Sequence, residues 1–300
     1  MKPGQIPALL RGAFLVALGA FAASVCPAEE PSPPVRLTFD GGFKQHLTWS
    51  PDGKKFLFTR IHQGKMGLWT INADGSDLKP LLPGEAAPHF DGHWSPDAKR
   101  IVFVFDVLQG TDGKLQINTV NAEDGTDNKN LIPHQAFEES PRWSPDGKRL
   151  LFVSTRDKNQ EIYLADADGK NVRRLTSEIA ADNNPNWSPD GKQVVFTSGR
   201  TGNLEIHVMN ADGGDVRRLT NHPAMDYWPV WSPDGRHIAF TSNRDGNYEI
   251  YVMNADGSQP RNLTCHPAQD NYAAWSPDGK RLAFISNRGG GYDIYVMEVK

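Results

Sequence analysis

The segment Trp231-Ser232-Pro233-Asp234 decides the fold of this 300-residue chain, because it recurs at a nearly fixed period. The tetrapeptide occurs six times, beginning at Trp49, Trp94, Trp143, Trp187, Trp231 and Trp275. The intervals are 45, 49, 44, 44 and 44 residues, so six units of similar length fill the sequence after its first few tens of residues. Internal repetition with a period in this range indicates a fold built from one repeated supersecondary unit.

Each unit contains short apolar runs separated by turn residues. In the fifth unit, a segment ending at Trp231 is followed by runs at 237–241, 249–253 and 260–264. The connections are Ser-Pro-Asp-Gly at 232–235, Asn-Arg-Asp-Gly at 243–246 and Asn-Ala-Asp-Gly at 254–257. Apolar, β-branched and aromatic runs between Gly, Asp, Asn and Pro turns are typical of strands in successive hairpins. We therefore predict four antiparallel strands per unit, named a to d in chain order.

Four strands repeated six times indicate an all-β fold, a six-bladed β-propeller. The alternative, a linear β-solenoid, requires shorter rungs and capping units, and the sequence shows neither. The last unit ends after its third strand, but the segment from Val35 to Thr38 matches the fourth strands that end at Thr176 and Thr220. Thr38 also lies eleven residues before the next repeat tryptophan, as those two threonines do. We therefore expect Val35 to Thr38 to close the last blade, which removes two open sheet edges.

The first 28 residues differ in character from the repeats. Lys2 and Arg11 precede an apolar run at 12–23, and small residues then lead to Ala28, a pattern typical of a secretory signal peptide. We predict a signal peptide over 1–28, a short tether over 29–34 and one propeller domain over 35–300, in the periplasm or secreted. An uncleaved membrane anchor is the alternative, although the apolar run is shorter than the ~20 residues of a membrane span. Lipid anchoring through Cys26 is a further alternative.

The repeated segments WSPDGK, SNRDG, IYVMNADG and RRLT resemble the repeats of the TolB-type, WD40-like β-propeller family over residues 35–300. The resemblance covers only a propeller, because the Tol-Pal member of the family carries an N-terminal α/β domain that has no counterpart here. It implies a six-bladed propeller that acts at the cell envelope. Since propellers host many unrelated activities, the family says less about function than about fold.

Alternating strand direction places the loops on two faces of the propeller. The a–b turns (Ser-Pro-Asp-Gly) and the c–d turns lie on one face, and the b–c turns and the d–a connections lie on the other, which we call the variable face. At the start of strand a, units three to six carry an acidic residue, and their b–c turns carry an arginine. With nearby aromatic residues, these give the candidate binding residues Glu138, Asp182, Asp226, Asp270, Arg156, Arg200, Arg244, Arg288, Tyr227, Trp228 and Tyr272.

The repeated charges have two interpretations. Each arginine pairs with a carboxylate of its own or the adjacent blade and ties the loops together, or the charges form a funnel-like mouth that binds a partner. In the second case Tyr227, Trp228 and Tyr272 are exposed aromatic anchors. The four carboxylates are oxygen ligands of the kind that Ca²⁺ or Mg²⁺ prefers, but only groups near the axis converge on one ion. We predict no metal site and no cofactor.

Charge and motif content narrow the function. Without residues 1–28 the chain has 30 basic and 36 acidic residues, a net charge of −6, and no basic run, so nucleic acid is not a predicted partner. The sequence also contains neither the G-x-S-x-G nor the H-E-x-x-H motif. We predict a monomeric, non-enzymatic scaffold that binds a protein or ligand, most simply an envelope protein, through the variable face. The alternative is a polysaccharide lyase or other enzyme that uses the channel mouth, with or without a divalent metal.

Overall fold

The computed structural model of the protein describes residues 33–107 and 113–299. The predicted signal peptide, Cys26 and most of the predicted tether lie outside these residues. Within the described ranges, no helix is long and apolar enough to cross a membrane.

The described residues form 24 β-strands, which fall into four sets according to their place in the blade. Strands a are β2 (Lys44–Trp49), β6 (His89–Trp94), β10 (Glu138–Trp143), β14 (Asp182–Trp187), β18 (Asp226–Trp231) and β22 (Asp270–Trp275). Strands b are β3 (Lys55–His62), β7 (Arg100–Val107), β11 (Arg149–Ser154), β15 (Gln193–Ser198), β19 (His237–Ser242) and β23 (Arg281–Ser286). Strands c are β4 (Lys65–Asn72), β8 (Lys114–Asn121), β12 (Glu161–Asp166), β16 (Glu205–Asn210), β20 (Glu249–Asn254) and β24 (Asp293–Glu298). Strands d are β5 (Lys79–Pro80), β9 (Lys129–Asn130), β13 (Arg173–Arg174), β17 (Arg217–Arg218), β21 (Arg261–Asn262) and β1 (Val35–Arg36).

The strands assemble into six four-stranded antiparallel sheets, which confirms the predicted six-bladed propeller. Five blades are continuous in sequence, and the sixth combines β22, β23 and β24 with β1. Val35 pairs with Val296 and Arg36 with Tyr295, so the predicted closure of the ring is also confirmed. The closing strand is shorter than the predicted segment, but the Leu37 amide continues the pairing with a 2.8 Å hydrogen bond to the Ile294 carbonyl.

A fully buried carboxylate fastens the first strand to the last. Asp293 accepts hydrogen bonds from Arg36 Nη2 and from Thr38 Oγ1, both at 2.6 Å. It also lies 3.4 Å from the Nζ atom of Lys44, which is fully buried as well. The carboxylates at the equivalent position of blades three to five bind the strand-d threonine of their own blade, and they are Glu161, Glu205 and Glu249. The sixth blade therefore closes with the same contacts that the other blades make within one continuous segment.

The hydrophobic core lies between neighbouring blades. Side chains of blade five such as Phe240 and Tyr251 pack against Val195 and Val208 of blade four, and the other blade pairs repeat this arrangement. Strands b and c are apolar on both faces because each blade is enclosed by two neighbours. The repeat tryptophan joins this core from strand a.

The Ser-Pro-Asp-Gly turns owe their repetition to local hydrogen bonding. In the first blade Ser50 Oγ donates to Asp52 Oδ1 at 2.7 Å and accepts from the Lys55 amide at 2.9 Å. Gly53 has a φ of +69°, a conformation that glycine adopts without steric cost. The hydrogen bond from the Ser50 hydroxyl lowers the pKa of Asp52. These turns are therefore built by the chemistry of the turn itself.

Candidate functional site

The charged residues of the variable face form one ion pair in each of blades three to six. The arginine is partly buried and the carboxylate is fully buried in every case. The pairs, with their N to O distances, are Arg156–Glu138 (3.0 Å), Arg200–Asp182 (2.7 Å), Arg244–Asp226 (2.7 Å) and Arg288–Asp270 (2.6 Å). Each pair joins the start of strand a to the b–c turn of the same blade. Each of these arginines therefore pairs with a carboxylate of its own blade, which is the first of the two interpretations of the repeated charges.

Burial raises the pKa values of three of these carboxylates. It raises the pKa of Glu138 to about 7, although the Arg156 guanidinium opposes the shift. It also raises the pKa values of Asp182 and Asp270, again against the effect of their arginine partners. Carboxylates that are shielded from water in this way contribute little to a charged surface.

A β-bulge in strand a of every blade brings a different set of side chains to the channel. The register of strand pairing shifts there, for example between Tyr227 and Val230 of β18. The residue three positions before the repeat tryptophan has a φ between 50° and 57°, and in blade order these residues are His46, Asp91, Ser140, Asn184, Trp228 and Tyr272. Bulges redirect side chains and favour positions next to binding sites. Positive φ is uncommon for residues as large as Trp228 and Tyr272, and the repeated bulge imposes it.

The channel contains a cavity of about 230 Å³. Its described lining residues all lie between the bulge and the proline of the a–b turn. Blades one to four contribute polar side chains such as His46, Asp91, His93 and Arg142, whereas blades five and six contribute Trp228, Val230, Tyr272 and Ala274. Since blades two and three stand opposite blades five and six in a six-membered ring, a polar wall faces an aromatic and apolar wall.

The cavity reaches the face of the a–b turns, which is opposite to the variable face. Pro51, Pro233 and Pro277, one from each of three a–b turns, form part of its lining and are exposed. Among residues 33–107 and 113–299, no residue of a b–c turn and no residue before the bulge lines it. The face of the repeated a–b turns therefore carries the opening, which the turn sequence itself does not indicate.

Aromatic rings lie at the end of the cavity nearer to the variable face, and we call this group the aromatic layer. Trp228 and Tyr272 stack with their ring centroids 3.9 Å apart, and Tyr272 meets His46 edge to face at 5.3 Å. The layer continues to Phe90 on one side and to Tyr227 on the other. The structure thus brings Tyr227, Trp228 and Tyr272 together, but as half-buried neighbours rather than as exposed anchors. Burial raises the pKa values of both tyrosines.

The polar wall is organised around an ion pair between blades. Arg142 Nη1 of blade three lies 2.9 Å from Asp91 Oδ1 of blade two. Burial favours the neutral acid, but the Arg142 guanidinium keeps the pKa of Asp91 below its usual value. Burial, assisted by the same guanidinium, lowers the pKa of His93 to about 3, and burial also lowers the pKa of His46. Both imidazoles are therefore neutral at pH 7.

The sequence reasoning above missed His46, Asp91, His93, Arg142 and Asn184. The available signal is the comparison of the six units column by column. Three residues before the tryptophan the units read His, Asp, Ser, Asn, Trp and Tyr, and one residue before it they read Thr, His, Arg, Asn, Val and Ala. The neighbouring Trp, Ser, Pro and Asp are the same in all six units. The residues at the two variable positions are therefore not fixed by a structural role that all blades share.

The described ranges contain no group of three or more His, Cys, Asp or Glu side chains arranged to hold a metal ion. In particular, the four carboxylates considered for Ca²⁺ or Mg²⁺ are each engaged with an arginine of their own blade.

The closed ring of six blades around one lined channel defines the class of the protein, a six-bladed β-propeller with a ligand-sized central cavity. Residues 93–228 match the family model of the TolB beta propeller domain, and residues 212–293 match that of the Tricorn protease N-terminal beta propeller domain. The repeats, these matches and the fold together support a TolB-type propeller family for the chain.

Similar proteins agree with this family. A TolB candidate from Agrobacterium tumefaciens is 24% identical with a TM-score of 0.68, over 88% of this chain and 93% of that one. TolB from Acinetobacter baumannii is 24% identical with a TM-score of 0.59, over 86% of this chain and 64% of that one. An oligogalacturonate lyase from Vibrio parahaemolyticus is 16% identical with a TM-score of 0.64, over 93% and 96%. Each likeness shows the fold alone.

A curated relative, an uncharacterized protein of Agrobacterium fabrum, is 30% identical over 88 residues. The match covers 27% of this chain and 30% of that protein's length.

Proposed function

We propose that this propeller is a non-enzymatic scaffold of the cell envelope, which holds a protein partner on its variable face. The observation that carries the proposal is the distribution of exposed apolar side chains. Of the eight large apolar residues that are exposed in the described ranges, five belong to this face, and they are Phe39, Phe43, Ile61, Phe137 and Ile179. The other three, Val35, Leu78 and Val216, lie in or next to the outer strands d. Apolar residues grouped on one surface are typical of protein interaction sites.

The apolar residues of the variable face lie in the d–a connections and at one strand end. Phe39 and Phe43 belong to the connection into blade one, whereas Phe137 and Ile179 belong to the connections into blades three and four. The Ile179 side chain is fully exposed and is not part of the hydrophobic cluster between blades three and four. Such side chains offer contact area to a partner and contribute little to folding.

The hairpins of blades one and two extend further on the variable face than those of the other blades. The b and c strands of blades one and two have eight residues, whereas those of the other blades have six. In blade one the hairpin β3–β4 is closed by Gln63 and Gly64, both with positive φ, which is the geometry of a tight two-residue turn. Taller hairpins beside exposed apolar connections make an asymmetric surface, and this favours one partner bound in one orientation.

The envelope location rests on the predicted signal peptide and on the family. The variable-face ion pairs support the proposal indirectly, because they hold the b–c turns and the starts of strands a in fixed positions. A rigid surface loses less conformational entropy when a partner binds.

Paired substitutions test the proposal. Phe137→Ser with Ile179→Ser removes two exposed apolar side chains from the variable face, and Leu78→Ser with Val216→Ser removes two from the outer edges as a matched control. The partner is first captured from an envelope fraction of the source organism, purified, and titrated against each protein by calorimetry. We expect the variable-face pair to weaken binding by about 30-fold or more, since interface hot spots are each worth ~1–2 kcal/mol. Equal affinities of the two double variants would exclude the variable face as the docking surface.

A further inference from the structure

We propose that the channel cavity on the a–b turn side is a separate binding site for a neutral sugar ring. This inference goes beyond the proposed protein scaffold, since it concerns the opposite face and does not depend on any protein partner. Three features of the cavity carry it: the opposition of its two walls, the unsatisfied polar atoms of one wall, and the cancelled charge.

The aromatic wall suits a ring with one apolar face. Trp228 and Tyr272 stack on each other with an interplanar angle of 26°, and the ring surface that this contact leaves free lines the cavity together with Val230 and Ala274. The bulge holds the two aromatic residues in place at positive φ. The C–H face of a pyranose packs on aromatic surface of this kind, where its apolar area is removed from water.

The polar wall lacks hydrogen-bond partners that a ligand can supply. The Nδ1 atom of His93 is buried without a hydrogen-bond partner. Asp91 is only 4% exposed and its Oδ1 atom lies 2.9 Å from Arg142 Nη1, and a carboxylate oxygen has lone pairs for a further hydrogen bond. Buried polar atoms are nearly always hydrogen-bonded in native proteins, so unpartnered atoms that line a cavity point to a missing group.

The missing group both donates and accepts hydrogen bonds. Asp91 only accepts and Arg142 only donates, whereas Asn184 and Asn186 in the next blade do both. A hydroxyl fits each of these residues, because it has one donor hydrogen and two acceptor lone pairs. Polar groups of three neighbouring blades line this wall, and a ring with several hydroxyls can reach all of them. A flat ligand with one polar edge can reach only some of them.

The charge of the wall favours a neutral ligand. Arg142 and Asp91 neutralise each other, and His46 and His93 are uncharged at pH 7. A carboxylate on the ligand competes with Asp91 for Arg142, and an ammonium group competes with Arg142 for Asp91. Either exchange leaves one buried charge without its partner, which is costly.

The size and position of the cavity limit the ligand. Trp228 and Tyr272 line its end nearer to the variable face, while exposed Pro233 and Pro277 stand at the other end. A volume of about 230 Å³ fits a free monosaccharide or the terminal residue of a glycan.

The test uses four sugars that differ mainly in charge: glucose, N-acetylglucosamine, glucuronate and glucosamine. Binding to the full propeller is measured by saturation-transfer NMR and by tryptophan fluorescence, with affinities expected in the millimolar range. We expect at least one neutral sugar to bind about 10-fold more tightly than both charged ones. Trp228→Ala and Asn186→Ala should each weaken that binding by about 10-fold, because one removes stacking surface and the other a hydrogen-bonding amide.

The controls keep the outcome decisive. Phe137→Ala, on the variable face, should bind the sugar as the unaltered protein does, and the melting temperature of each variant shows that it is folded. Asn186→Ala is included because the Asn186 side chain lines the cavity and has no hydrogen-bond partner among the described residues. Absence of saturation transfer from all four sugars, preference for glucuronate or glucosamine, or unchanged binding by both cavity variants would each overturn the proposal.

Discussion

Substitution of Asp293 by alanine tests how the ring of blades is held closed. The Asp293 carboxylate accepts hydrogen bonds from Arg36 and Thr38 on the closing segment and lies beside the buried ammonium group of Lys44. Its loss leaves Lys44 with Asp40 as its remaining acidic partner. Removal of one member of a buried ion pair costs ~3–5 kcal/mol of unfolding free energy. For a domain of this size that corresponds to a fall in melting temperature of roughly 6–20 °C.

Glu205→Ala is the matched control, because Glu205 makes the equivalent contacts inside blade four. Its carboxylate binds Arg218 Nη2 at 2.6 Å and the His222 amide at 2.9 Å. Strand d of that blade follows strand c through a short turn, whereas β1 is tied to β24 without such a connection. Both variants should therefore melt earlier, but only Asp293→Ala should release the closing strand.

Hydrogen exchange followed by mass spectrometry separates the two effects. In Asp293→Ala, the Leu37 amide, which donates to the Ile294 carbonyl, should lose most of its protection, while peptides from the other blades keep theirs. In Glu205→Ala the same amide should exchange as in the unaltered protein. A melting temperature of Asp293→Ala within about 1 °C of the unaltered protein, or equal protection of Leu37 in both variants, would refute the reasoning.

Two further predictions concern buried charge. Arg244→Ala leaves the fully buried Asp226 carboxylate unpaired and should lower the unfolding free energy, measured in urea, by ~3–5 kcal/mol. The control Arg236→Ala, in an exposed a–b turn, should change it by less than ~0.5 kcal/mol. Similar changes in the two variants would contradict a structural role of the Arg244–Asp226 pair. His93 has a folded-state pKa of about 3 against 6.5 unfolded, so its contribution is present above pH 6.5 and is lost as the pH falls toward 3. Between pH 7 and pH 5 the unaltered protein should therefore lose ~1–2 kcal/mol more stability than His93→Gln. Glu138, whose pKa is raised to about 7, stabilises the folded state below pH 4.5 and loses that effect as the pH rises to 7. Both proteins contain Glu138, so its effect cancels in the comparison. Parallel stability-versus-pH profiles of the two proteins would contradict the assignment to His93.

The fold could be predicted from the sequence because each strand and turn is specified locally and six times over. The Ser-Pro-Asp-Gly turn makes its own hydrogen bonds, and the runs on both sides have the period of strands. The match of the segment ending at Thr38 to later strands d also revealed the closure, since the same residue types meet the same partners in each blade.

The candidate site was less accessible to the same reasoning. The repeated arginines and carboxylates suggested a charged binding surface, but they form ion pairs within their own blades. Repetition in four blades is what a shared structural role produces. The residues that line the cavity depend on a bulge with positive φ at positions such as Trp228, for which no local sequence preference exists. The pairing of Arg142 with Asp91 joins two blades that are 51 residues apart at these positions, so only the assembled ring shows it.

Site-specific photocrosslinking tests the central claim, that a protein partner docks on the variable face. A photoreactive phenylalanine derivative is placed at position 137 on that face or at position 189 in an a–b turn on the opposite face, both of which are exposed. After irradiation in the intact envelope, the account predicts that the partner captured from the envelope fraction is crosslinked from position 137 and not from position 189. Crosslinking of that partner from position 189, with none from position 137, would contradict it.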